Sequence, residues 1–299
     1  MERSKARYIL FILGQSLLYG IGNPVTKLAY DGGITPLWLL AGRFLTATLA
    51  CWLLFGKRIR AQLPKAHLRH WLPSALGIAG AYICCNLALN MTSATNVGFL
   101  ISLPVLFTPF LAPLLLRRRY DVRVLPVQLL SVVGLFLLCC GDTGFSFGLG
   151  ELLGLVDALC LAFALIFSER ALGELDGTVL TFLQAAVTFA ISLVLALCFD
   201  DFAVLPQVKP VAWAVVLYLA LGCTVLAYIL QNYAVARLSA ATVSVLQCTQ
   251  PILTALISFI VLREKLTPLG IFGGVLIIAA LLLDAGRQNR AVRLSTETE

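Results

Sequence analysis

Ser93-Ala94-Thr95-Asn96-Val97-Gly98-Phe99-Leu100-Ile101-Ser102-Leu103-Pro104, running on through apolar residues to Arg117-Arg118-Arg119, is the first copy of a unit that the chain writes twice. The second copy opens at Ala240-Ala241-Thr242, passes through Pro251 and stops at Arg263-Glu264-Lys265. Thr95 and Thr242, like Pro104 and Pro251, are 147 positions apart. Each copy is a short polar turn, an apolar span of roughly bilayer length with proline near its middle, and a charged stop.

Composition sets the solvent in which such a unit works. Of 299 residues 60% are hydrophobic and 12% charged, with a mean hydropathy of +0.94, against about 25% charge in a soluble domain. No polar stretch is long enough for a soluble domain, so the chain is expected to be an all-α polytopic membrane protein. The net charge of +7 is spread over short loops, which fits membrane orientation rather than nucleic acid. The nine cysteines lie in apolar spans without a C-x-x-C pair or a neighbouring histidine, so they read as small core residues and no metal or other cofactor is expected. Arg3, Lys5 and Arg7 before an apolar run resemble a signal peptide. The run continues to Ala29 without an A-x-A site, and reads as a retained first helix.

Apolar runs of spanning length occur at 8–29, 35–55, 72–92, 96–116, 125–141, 149–170, 178–199, 210–232, 240–262 and 268–286, predicting ten transmembrane helices. With the N-terminus in the cytoplasm, seventeen Lys and Arg fall inside. They are Arg3, Lys5, Arg7; Lys57, Arg58, Arg60, Lys65, Arg69; Arg117, Arg118, Arg119, Arg123; Arg170; Arg237; and Arg287, Arg290, Arg293. Four (Lys27, Lys209, Arg263, Lys265) fall outside, and Arg43 lies within a span. The bias predicts cytoplasmic termini. Five helices per half is an odd number, so the second copy is expected upside down: two inverted five-helix repeats, residues 1–145 and 146–299, a recurrent basis of alternating access.

Several segments resemble the EamA-type members of the drug/metabolite transporter superfamily. They are Ala234-Val235-Ala236-Arg237-Leu238-Ser239-Ala240-Ala241, Gln250-Pro251-Ile252-Leu253-Thr254-Ala255-Leu256 and Leu262-Arg263-Glu264-Lys265-Leu266-Thr267-Pro268, with a weaker copy from Pro104 to Arg119. Gly150-Glu151-Leu152-Leu153-Gly154-Leu155 and Gly20-Ile21-Gly22-Asn23-Pro24-Val25 resemble that family's openings of the sixth and first helices. The likeness extends over roughly residues 8–286 and rests on the order and spacing of the motifs rather than on any one. It implies ten helices in two inverted halves, a central cavity, and export or exchange of small metabolites such as amino acids. The chain departs from the family pattern in its all-basic stop at Arg117-Arg118-Arg119. It departs also at Asp157, where a small neutral residue is expected; this second departure bears on energy coupling.

An ionisable group inside a span costs about 2.5–3.5 kcal/mol on insertion scales and so faces a cavity or a partner. Arg43 and Asp157 each lie eight residues into spans running in the same direction, about 12 Å deep at 1.5 Å per residue. Arg43 is the candidate for attracting an anionic substrate group. Asp157 is the candidate counter-ion or proton acceptor, with a structural helix–helix pair as the alternative. Gln15, Asn23, Asn86, Gln247 and Gln250 are candidates for a polar pathway, Gln247 and Gln250 sharing one helix face beside Pro251. Asn90, Gln184, Gln231 and Asn232 are polar in the same way, and interhelical hydrogen bonding is the alternative for each. Tyr82 and Tyr228 are candidates for stacking on an aromatic or cationic substrate, with packing as the alternative.

Gly150-x-x-x-Gly154 and Gly270-x-x-x-Gly274 predict close helix contacts, within one chain before a homodimer seam; a monomer in the lipid bilayer is expected. Asp142-Thr143-Gly144 occurs once, where an aspartic dyad needs two carboxylates. There is no H-E-x-x-H, G-x-S-x-G or nucleotide-binding loop, so neither an intramembrane enzyme nor an ATP-driven pump is favoured. A channel remains the alternative to a carrier. The expectation is a secondary exporter of small organic metabolites in a bacterial cytoplasmic membrane, with substrate contacts concentrated at the second proline.

Overall fold

The structure, a computed structural model, describes residues 2–92, 94–116, 122–140, 148–257 and 267–296, with the side chains of 2–5, 23, 24, 94–96, 123, 140, 257 and 285–296 outside that description. Asn23, Arg117-Arg118-Arg119, Asp142-Thr143-Gly144 and Arg263-Glu264-Lys265 therefore lie outside the described residues or side chains. Among the described residues there is no strand. Within the described residues, seven helices are long and apolar enough to cross a membrane: Ala6–Asp31, Pro36–Lys65, Leu68–Met91, Val97–Leu116, Leu149–Ala171, Gly177–Phe199 and Pro210–Val235. Three shorter apolar helices cover Leu125–Cys139, Ala240–Leu256 and Pro268–Asp284.

In chain order the α-helices are α1 (Glu2–Asp31), α2 (Pro36–Gln62), α3 (Leu68–Met91), α4 (Ala94–Leu100), α5 (Pro104–Leu116), α6 (Leu125–Cys140), α7 (Leu149–Ala171) and α8 (Gly177–Phe199). They continue as α9 (Pro210–Ala220), α10 (Ala227–Val235), α11 (Ala240–Gln247), α12 (Thr249–Ile257) and α13 (Pro268–Thr296). Their starts follow local chemistry. Asp176 accepts from the Thr178 amide at 2.9 Å ahead of α8, and Ser239 from the Thr242 amide at 3.2 Å ahead of α11. Pro36 and Pro210 occupy first-turn positions, where a missing N–H costs nothing. Gly33 turns α1 into α2 with φ +89, a conformation that a side chain would strain.

The repeated proline acts in the same way in both copies. A proline removes the hydrogen bond to the carbonyl four residues back, and its ring crowds that carbonyl. Pro104 and Pro251 each follow a helix that ends four residues earlier, at Leu100 and Gln247. The interruption thus lies in the turn before each proline, and each proline sits in the first turn of the following helix.

Large apolar side chains face outward, as in Leu53 (81% exposed), Leu114 (75%) and Phe199 (77%), the arrangement hydrocarbon solvent permits and water does not. Inside, α3 packs along α7, α2 along α8 and α6 along α13, while α1 contacts α9, α10 and α12, and α5 contacts α7 and α11. α3 also touches α8, and α2 touches α9.

Glycines permit the closest crossings. A Cβ on Gly150 would stand 3.0 Å from Thr92 Cβ, and one on Gly154 2.7 Å from Leu100 Cδ1, so that pair packs within the chain. The Gly270/Gly274 expectation is corrected in part: a Cβ on Gly270 would meet Leu138 O of α6 at an ordinary 3.7 Å. Nothing lies within 4 Å of a Cβ on Gly274, and the tight contact of α6 with α13 is between Gly134 and Gly273, where an added Cβ would come within 2.5 Å of Gly134 O.

Candidate functional site

Arg43, buried on α2, is held mostly by one irregular turn. Between α9 and α10 the chain widens into a π-helix, Leu221–Leu226, a geometry that leaves backbone carbonyls free for other partners and recurs at functional sites. Arg43 Nε donates to Thr224 Oγ1 at 2.7 Å, and Nη2 donates to the Cys223 carbonyl at 3.3 Å. Thr224 Oγ1 spends its own proton on the Leu219 carbonyl at 3.0 Å, so toward Arg43 it can only accept. The guanidinium lies 4.6 Å from the centroid of Tyr82 and also donates to Tyr82 Oη at 3.3 Å. The ion pairs found among the described residues are Arg58–Asp176 and His70–Glu174, so no carboxylate neutralises Arg43.

Around it lies a cavity of about 100 Å³, several times the room one water needs. Of the predicted site residues, Gln15, Arg43, Tyr82, Asn86, Asp157, Tyr228, Gln247 and Gln250 all line this cavity; Asn23 lies outside the described side chains. Tyr82 packs edge-on against Phe44 (5.1 Å) and Tyr228 (6.1 Å) and donates to Tyr19 Oη at 3.1 Å. Asn86 accepts from Tyr30 Oη at 2.6 Å and donates to the Tyr82 carbonyl at 2.8 Å. Tyr82 therefore packs and hydrogen-bonds within the wall while its ring edges the cavity.

Asp157 does not pair with Arg43. It is 1% exposed, lines the same cavity, and its Oδ2 has no hydrogen-bond partner among the described residues. The salt bridge that equal depth permits is not formed. On another wall Gln231 Oε1 accepts from Gln15 Nε2 at 2.6 Å and from Gln247 Nε2 at 2.9 Å, joining α1, α10 and α11.

Other polar residues go elsewhere. Gln184 donates to Ser74 Oγ (2.8 Å) and Ser168 Oγ (3.1 Å) and accepts from Asn232 (3.1 Å), a buried clamp among α3, α7, α8 and α10 outside the cavity. Asn90 is exposed. Sequence reasoning missed Tyr19, Thr224 and Ser102, and counted Gln231 as polar without placing it in the site. Thr224 and Ser102, polar residues within apolar spans, were the available signal; the π turn that aims Thr224 has none. The first proline segment supplies Ser102 and Pro104 to the wall while Leu100 and Leu103 are buried in the core; the second supplies Ser244, Gln247 and Gln250.

Comparison with known proteins agrees with this architecture. The model of the EamA-like transporter family matches twice, over residues 6–140 and 148–284. Two proteins of Archaeoglobus fulgidus, each named an uncharacterized transporter, are 29% identical; one alignment covers 86% of this chain and 90% of the relative, the other 90% and 82%. The uncharacterized transporter YyaM of Bacillus subtilis is 25% identical, with 93% of each chain covered. A crystal structure described only as that of a protein superposes with a TM-score of 0.75 at 19% identity, over 96% of this chain and 99% of the other, which speaks for the fold alone. These relatives point to a membrane transporter rather than an enzyme. With two matches that span nearly its whole length, the chain belongs to the EamA-like transporter family.

Proposed function

We propose that this protein is a secondary carrier that exports small organic metabolites, amino acids among them, by alternating access of two inverted five-helix halves, residues 1–145 and 146–299. The observation that carries this reading is the central cavity, whose polar lining comes from both halves: Gln15, Arg43 and Asn86 from the first, Asp157, Gln231 and Gln247 from the second. A cavity of about 100 Å³ matches a small metabolite rather than a drug-sized one, whose pockets start at about 300 Å³.

The helix pairing supports the inverted plan. Exchanging α1, α2, α3, α4–α5 and α6 with α7, α8, α9–α10, α11–α12 and α13 turns the α3–α7 contact into α1 with α9 and α10, and the α5–α7 contact into α1 with α12. The α2–α8 and α6–α13 contacts map onto themselves. On this reading the three shorter apolar helices cross the membrane too, giving ten spans in a bacterial cytoplasmic membrane, and the excess of Lys and Arg in alternate loops supports cytoplasmic termini. The working unit is a monomer, with a homodimer as the alternative.

In the cavity Arg43 is the anchor for an anionic group, because among the described residues its charge meets only neutral acceptors and aromatic faces. Gln15, Asn86, Gln247 and Gln250 supply hydrogen bonds, and Tyr82 and Tyr228 supply aromatic surface; Asn23 belongs to the same proposed set. An unpaired buried carboxylate is costly. Asp157 is relieved of that cost by a proton or by a cationic group of the substrate, which makes it the coupling residue.

The test is a proteoliposome screen of amino acids, nucleosides and vitamins, with and without a pH gradient. Saturable counterflow of an anionic or zwitterionic metabolite, abolished in Arg43→Gln, is the expected result. Non-saturable flux would mark a channel, and chemical conversion of a substrate would mark an enzyme.

A further inference from the structure

A second cavity lies away from the central one, at the end of the bundle that carries the start of α1. Its volume is about 480 Å³, and its wall includes Arg7, Tyr8 and Phe11 of α1, Leu172, Leu175 and Asp176 from the turn between α7 and α8, and Ile229, Leu230 and Tyr233 of α10 with Arg237 just beyond it. The lining has two parts. Phe11, Leu172, Ile229 and Leu230 make it apolar, while Arg7 and Arg237 bring two positive charges to it.

Among the described residues the charge is not cancelled inside the cavity. Asp176 also lines it, but its carboxylate is engaged: it accepts from the Thr178 amide and hydroxyl at 2.9 and 2.6 Å and from Tyr233 Oη at 3.3 Å, and it stands 3.9 Å from Arg58. Arg58 and the amino end of α8 therefore offset Asp176. Arg7 stacks on Phe11 at 5.3 Å, and neither Arg7 nor Arg237 has an ion pair among the described residues. Three residues on from Arg7, Leu10 is 65% exposed on a helix long and apolar enough to cross a membrane.

We propose that this cavity is a binding site for the headgroup of an anionic phospholipid, the phosphate held by Arg7 and Arg237 and the first part of an acyl chain against Phe11, Ile229 and Leu230. Two arginines at the water-facing end of apolar helices meet the phosphate at its own depth in the bilayer, and basic hollows between membrane helices are a recurrent form of such sites. The apolar wall distinguishes this site from one for free phosphate, which has no use for it. Tyr8 and Tyr233 supply the amphipathic rings favoured at headgroup level.

The test is native mass spectrometry of the intact detergent-solubilised protein, titrated with short-chain phosphatidylglycerol, short-chain phosphatidylcholine or inorganic phosphate. Wild-type protein is expected to retain one phosphatidylglycerol in preference to phosphatidylcholine. Arg7→Gln and Arg237→Gln should each weaken it about fivefold, and the double variant roughly 20- to 30-fold, since one surface arginine contributes about that factor. Arg237→Lys, which keeps the charge, should retain most of the affinity. Equal retention by the double variant, or equal binding of the two lipids, overturns the proposal; so does binding of inorganic phosphate that displaces the lipid. Comparison of thermal unfolding of each variant with wild type, without lipid, separates lost binding from lost fold. None of these residues lines the central cavity, so failure here leaves the transport reading untouched, and failure of that reading leaves this one standing.

Discussion

Arg43 Nε and Thr224 Oγ1 stand 2.7 Å apart although 181 residues separate them in the chain, and their bond fastens the middle of α2 to the π turn between α9 and α10. The hydroxyl accepts from the arginine and donates to the Leu219 carbonyl, so a single threonine both fixes the turn and aims the guanidinium. The Cys223 carbonyl, part of the same turn, takes a second guanidinium proton. Among the described residues Arg43 is the one cationic side chain of the cavity wall, and it is thus positioned by a departure from regular helix geometry.

Thr224→Val keeps the shape and removes the acceptor. A hydrogen bond to a charged group contributes about 1.5–3 kcal/mol, so thermal unfolding of the detergent-solubilised protein should shift down by that order, and transport should fall with it. Thr224→Ser should restore both. Arg43→Lys should not restore what Arg43→Gln loses, because a compact ammonium cannot reproduce the planar guanidinium fork or its stacking on Tyr82. A fully stable, fully active Thr224→Val protein would remove Thr224 from this role.

Asp157→Asn conserves volume and takes away the ionisable group. Because the carboxylate has no cationic partner, the variant should fold with equal or greater stability, unlike a variant that breaks an ion pair. Transport by the variant should lose its response to a pH gradient while binding persists. Transport still dependent on pH to the same degree would exclude Asp157 as the coupling residue.

Gln231 accepts from Gln15 and from Gln247, and so joins the first helix to the end of α11, the segment that Pro251 breaks. Gln231→Leu leaves two amide donors without their acceptor and should cost about 1–3 kcal/mol. A double-mutant cycle between Gln15→Leu and Gln247→Leu should show non-additivity of about 0.5 kcal/mol or more through the shared oxygen. Strict additivity in thermal unfolding would mean that the three amides act independently.

Gly273 and Gly274 are adjacent and should respond in opposite ways to alanine. A Cβ at Gly273 would meet Gly134 O and Leu138 N at 2.5 Å, both backbone atoms that cannot swing aside, so Gly273→Ala should destabilise by about 1–3 kcal/mol. At Gly274 nothing lies within 4 Å, and alanine favours the helix by about 1 kcal/mol over glycine. Equal melting temperatures for the two variants would refute the close α6–α13 crossing at Gly134 and Gly273.

The sequence by itself determined the membrane class, the positions of the apolar helices and most of the polar side chains that line the cavity. Hydropathy acts locally: a run of apolar residues is legible whatever it packs against, and a proline breaks its own helix at a fixed offset, hence the ends at Leu100 and Gln247. Polar residues within such runs were equally visible, because hydrocarbon penalises them wherever they point. Which of them converge was decided only by tertiary structure. Arg43 and Asp157 sit at matching depths in their helices and line one cavity, yet they do not pair, since lateral rotation of a helix is set by its neighbours and not by its own spacing. The same holds for Gln184, whose character resembles that of Gln247 but whose face turns it into a clamp with Ser74 and Ser168. The π turn at Thr224 lies furthest from the sequence, because a widened turn depends on the partner that takes up its freed carbonyl, and that partner is an arginine on another helix.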